Sequence, residues 1–89
     1  MQMFEVLIYA KSITKNLRNE IFNFSKAHPN IAYFLHCIGE WDFELGVEVE
    51  KAEEINGVVK KLYERFGKDL ATVKILPLFR SLKLSWYPF

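Results

Sequence analysis

Few residues in this chain could do chemistry, and their spacing decides which chemistry is open to them. His36 and Cys37 are adjacent in a run that reads as a β-strand, where successive side chains project to opposite faces. They cannot close on one metal ion. His28 stands before Pro29 at the end of a helical run, a position suited to capping or to solvent. A nucleophilic Cys37 would need a base and an electropositive setting, and inside a sheet it reads as an inert, packed thiol. Asp42, Glu44, Glu48 and Glu50 form an acidic row. Glu44 and Glu48, four residues apart on an extended strand, are separated by about 13 Å. That is too far to share a proton or flank one bond. Charge pairing with Lys74, Arg80 or Lys83, of the same or a neighbouring subunit, is expected instead. Lys60, Lys61, Arg65 and Lys68 interleave with Glu53, Glu54 and Glu64 and read as a solvated helix face. No glycine-rich phosphate loop, Ser/His/Asp set or nucleotide fingerprint is present. Neither catalysis nor a cofactor is expected.

The remaining constellation is Gly39, Glu40, Trp41 and Asp42, between two strand-like runs. Gly39 permits a positive φ and bares backbone N–H groups. Asp42 can cap the amides of its own turn, and Trp41 offers a flat apolar surface. One reading is a hairpin turn whose tryptophan is packed under a helix or against a neighbouring dimer. The other is a crevice for a zwitterion: backbone N–H groups take its carboxylate, Asp42 or Glu40 its ammonium, and Trp41 its side chain.

The elements that must hold this turn are legible from periodicity. Residues 3–10 form a mostly apolar run suited to a central strand. Ser12 or Thr14 can cap a helix over about 14–27, with Ile13, Leu17, Ile21 and Phe24 as its buried stripe. Residues 31–38 and 41–50 read as a hairpin; Trp41, Phe43, Leu45, Val47 and Val49 share the apolar face of the second strand. A second helix over about 52–66 carries Ile55, Val58, Val59, Leu62 and Phe66 on one side, and Gly67 is a natural stop. Residues 72–79 make a strand whose Pro77 suits an edge or a bulge, and 82–87 read as a further short strand. The order is β-α-β-β-α-β plus a tail strand. Two helices with one apolar stripe each cover one face of an antiparallel sheet, giving an α+β, ferredoxin-like two-layer sandwich.

At 89 residues the chain is one domain, 1–89, and marginal alone. Yet 51% of its residues are hydrophobic and 16% aromatic, which points to apolar surface shared with a second copy on the other sheet face. A net charge of +1 gives no nucleic-acid footprint. The single cysteine excludes an internal disulfide, no signal peptide is visible, and no run reaches the roughly 20 apolar residues of a membrane helix. A soluble, cytoplasmic protein without a membrane partner is expected.

The stretch "HPNIAYFLHCIGEWDFELGVEVE" resembles the centre of the effector-binding domain of Lrp/AsnC-family transcriptional regulators. That pattern has a helix ending in a Pro turn, a strand, a Gly-x-aromatic-Asp turn and an alternating strand. Gly39, Trp41 and Asp42 match it, with Trp where Tyr is common, and the acidic version looks like archaeal members. The resemblance implies a sheet-to-sheet homodimer, often assembled further, that binds an amino acid or related small molecule near the turn, between dimers. It makes Gly39, Glu40, Trp41 and Asp42 the ligand-crevice residues. Such regulators usually carry a winged helix-turn-helix, which this sequence lacks, so DNA would be reached only through a separate domain or protein. A purely structural dimerisation module and a small dimeric ferredoxin-like enzyme are the alternatives. The enzyme would need polar catalytic groups between sheet and helices, where the helix stripes are apolar.

Overall fold

The computed structural model describes residues 2–78. Its elements are β1 (Gln2–Ala10), α1 (Lys15–Ala27), β2 (Ile31–His36), β3 (Phe43–Val49), α2 (Glu54–Phe66), a 3-10 turn (Gly67–Asp69) and β4 (Leu70–Leu78). The strands form one antiparallel sheet in the order β2-β3-β1-β4. This is the expected ferredoxin-like sandwich. The strand expected over 82–87 lies outside the described residues.

The helices form where expected, for the expected reasons. The Thr14 hydroxyl accepts from the Leu17 amide at 3.0 Å and caps α1. Leu17, Ile21 and Phe24 are buried, but Ile13 precedes the helix and is 45% exposed, so the stripe starts one turn later than its spacing suggests. At the other end the His28 amide donates to Phe24 and Ser25 carbonyls, while His28 Nδ1 accepts from the Asn30 amide at 3.2 Å. In α2, Ile55, Val58, Leu62 and Phe66 are buried. The Glu54 carboxylate accepts from the Glu50 and Lys51 amides at the positive end. Gly67 stays right-handed at φ −50° and leads into the 3-10 turn, so it does not end α2 as a left-handed cap.

Both helices lie against one sheet face. Val6 and Ile8 of β1 and Phe43, Leu45, Val47 and Val49 of β3 meet Leu17, Ile21, Phe24, Ile55, Val58, Leu62 and Phe66 in one core. The period-two reading of β3 holds from Phe43 to Val49. It fails at Trp41, which lies before the strand. Pro77 sits on β4, an edge strand, as its missing N–H requires.

The other edge carries a bulge. Ile31 pairs with Val47, but Tyr33, not Ala32, pairs with Gly46. The extra residue reverses the alternation, so Ile31 and Phe34 both pack against the core while Tyr33 turns to the opposite face. Gly46 makes room for it: a Cβ there would collide with the Tyr33 ring. That opposite face carries Met3, Glu5, Leu7 and Tyr9; Tyr33 and Leu35; Glu44, Gly46 and Glu48; and Thr72, Lys74, Leu76 and Leu78. Among the described residues no helix packs on it, and Leu35 and Leu76 are 49% and 45% exposed.

Candidate functional site

The segment between β2 and β3 is wider than a tight hairpin. β2 ends at His36, and residues 37–42 form an irregular turn. Cys37 lies just past the strand, half-buried, rather than inside the sheet. His36 does share the core side of β2 with Phe34, at the rim, its ring 5.0 Å from that of Phe43.

Asp42 fastens the turn to the sheet. Its amide donates to the Ile8 carbonyl at 2.9 Å, and its carbonyl accepts from the Cys37 amide at 2.8 Å. Its side-chain Oδ2 accepts from the Ala10 amide at 2.8 Å. The carboxylate therefore caps the far end of β1 and not the turn's own amides. The reason is topological: β3 lies between β2 and β1, so a residue entering β3 faces both neighbours. The Lys11 amide in turn donates to the Asp69 carbonyl at 2.9 Å. The turn, the end of β1 and the start of β4 thus gather at one end of the sheet.

Gly39 adopts φ +144°, as expected of a glycine at this turn, and an added Cβ would meet only open space. Ile38 is fully exposed and Glu40 is exposed, so the tip of the turn presents backbone and one bare isoleucine. Trp41 is half-buried, and its indole Nε1 is shielded from solvent without a hydrogen-bond partner. An unmade bond of this kind costs about 1–3 kcal/mol. The four residues form one continuous strip: Gly39 and Glu40 outward, Trp41 inward, Asp42 anchored.

A second polar cluster, not anticipated from the sequence, lies on the helix-free sheet face. The Tyr33 hydroxyl donates to Glu44 Oε2 at 3.1 Å, and Glu44 is 9% exposed. Glu5 on β1 is the diagonal neighbour of Glu44 across the β1–β3 ladder, on the same face. Burial first, then the hydrogen bond and charge of Glu44, push the Glu5 carboxyl up to about 7, with Tyr33 opposing in part. Burial and the same two carboxylates raise the Tyr33 phenol. Among the described residues the basic partner expected for Glu44 is not beside it; Arg80 and Lys83 lie outside them. Lys74 stands across Leu7, two strands away, with its ammonium 5.3 Å from the Tyr9 ring centroid. Only the bulge at Ala32 puts Tyr33 on this face, and no sequence period signals a bulge.

No family model and no curated protein matches the chain. Solved structures do. An AsnC family transcriptional regulator from Agrobacterium tumefaciens superimposes with a TM-score of 0.77 at 15% identity, over 89% of this chain and 50% of that one. The transcriptional regulator NMB0573 of Neisseria meningitidis, in complex with L-Met, gives 0.73 at 10% identity, over 91% and 51%. TTHA0845 of Thermus thermophilus gives 0.72 at 21% identity, over 90% and 95%. The chain thus spans about half of each regulator and nearly all of the Thermus protein. The shared property is the fold: this chain has the α+β architecture found in Lrp/AsnC regulators, as the Gly-x-aromatic-Asp turn led one to expect.

Proposed function

We propose that this chain is a regulatory domain that self-associates through its helix-free sheet face and binds an amino acid at the 39–42 turn, between subunits. The observation that carries the reading is the turn itself. It combines a glycine at positive φ facing open space, an exposed carboxylate at Glu40 and a tryptophan whose indole N–H is dry and unpaired. A chain reversal alone demands none of the last two. The likeness to a regulator crystallised with L-Met supports the same class of ligand.

In this reading the bare amides near Gly39 take the ligand carboxylate and Trp41 its side chain. Glu40 takes the ammonium, because one oxygen of Asp42 is committed to Ala10. Asp42 then serves the site by holding the turn to β1. DNA is reached through a separate domain or protein, and the chain performs no reaction of its own.

A thermal-shift screen of the twenty amino acids tests this. At least one should raise the melting temperature of the wild type, and Glu40→Gln and Trp41→Phe should each blunt the rise while keeping the unliganded melting point within a few degrees. A wild type that answers to none of the twenty would leave the domain a structural oligomerisation module.

A further inference from the structure

The carboxyl pair on the helix-free face has no part in the ligand site, yet it sits in the surface through which a second copy would dock. We propose that this face is proton-gated: Glu5 and Glu44 hold a single proton between them, and the face pairs with its copy in that state and releases it when the proton leaves. The inference rests on the sheet-face association proposed above.

Register and composition carry the argument. Leu7 pairs with Glu44 and Glu5 with Gly46, so Glu5 and Glu44 are diagonal neighbours on one side of the β1–β3 ladder. With no Cβ at Gly46, the Tyr33 ring lies across that position and its hydroxyl is tied to Glu44. The charged and titratable groups on this face are Glu5 and Tyr9 from β1, Tyr33 from β2, Glu44 and Glu48 from β3, and Lys74 from β4. Among the described residues that sets three carboxylates against one ammonium. Closing two such faces with every carboxylate ionised would bury, among the described residues, three negative charges per chain against one counter-charge, which is costly. One retained proton per chain removes one of those charges and supplies the donor for a carboxyl–carboxylate hydrogen bond. The surrounding Met3, Leu35, Leu76 and Leu78 then meet as apolar surface.

Burial already lifts the Glu5 carboxyl to about 7 in the single chain, so the gate works in the neutral range. A dimer that keeps one proton per subunit should weaken on the order of 100-fold between pH 6 and pH 8. Sedimentation or mass photometry of the wild type at these two pH values, beside Glu5→Gln, tests this. The amide mimics the protonated acid, so Glu5→Gln should associate with nearly equal strength at both. A pH dependence set by groups off this face would instead persist in Glu5→Gln. A wild-type dimer indifferent to pH, or a Glu5→Gln dimer that keeps the wild-type dependence, overturns the proton gate and leaves the association standing. A wild type monomeric at both pH values overturns the association and the gate together.

Discussion

Asp42 shows how a residue chosen for one role can serve another. Its spacing from Gly39 marks it as a member of the turn, and sequence alone assigns its oxygens to the turn or to a ligand. The structure commits one of them to Ala10, 32 positions earlier. That bond depends on which strand lies beside β3, which local spacing does not carry. Asp42→Ala should cost about 1–3 kcal/mol, since it strands the Ala10 amide. Asp42→Asn, which keeps an acceptor, should recover most of that, and urea unfolding of the two variants measures the difference. Gly46 is a second case. It reads as one more small residue in an alternating strand, but the Tyr33 ring occupies the space its side chain would need. Gly46→Ala should destabilise by about 1–3 kcal/mol, and pairing it with Tyr33→Ala should return part of the loss in a double-mutant cycle.

Glu5 belongs to the same scale, and its effect has a definite sign. Its folded carboxyl binds protons more tightly than an unfolded glutamate, since burial and Glu44 raise it from 4.5 to about 7. The folded state therefore holds the extra proton between those two values. The Glu5 contribution to stability is greatest below pH 4.5, declines as pH rises toward 7 and is flat beyond. Urea midpoints of wild type and Glu5→Gln between pH 5 and pH 8 should converge on the acidic side and separate as pH rises. Parallel curves would assign the slope to other groups.

At the scale of elements, the parts governed by local periodicity were readable and those governed by pairing were not. The stripes of α1 and α2 and the core face of β3 follow from 3.6- and 2-residue repeats, and Leu17, Ile21, Leu45 and Leu62 are buried accordingly. The alternation that includes Trp41 runs past the point where the ladder ends, because pattern continues after hydrogen bonding stops. The bulge at Ala32 is the reverse case: pairing continues while the pattern slips a residue. Within the candidate site the turn and the positive φ of Gly39 were legible. The burial of the Trp41 N–H and the Glu5–Glu44–Tyr33 cluster were not, since both arise from contacts between elements. The α1 cap gives a simple test of local control. Thr14→Ala should cost about 1 kcal/mol, and Thr14→Ser should be close to neutral.

For the whole molecule the question is what the helix-free face does in solution. A sheet with helices on one side leaves the other to water or to a partner, and here that other side carries Leu35 and Leu76 roughly half exposed. Leucines so placed add nothing to the fold of one chain, so replacing them should leave it intact. Leu35→Lys and Leu76→Lys should each change the stability of the single chain by under about 0.5 kcal/mol, as exposed substitutions do. If the face pairs with its copy, the wild-type melting temperature rises with protein concentration, because association stabilises only the folded chain. The lysine variants should lose that dependence while keeping the wild-type far-ultraviolet circular dichroism spectrum. Variants that still associate would move the contact to another exposed apolar site, and Ile38 at the tip of the turn and Phe22 on α1 are the two places to substitute next.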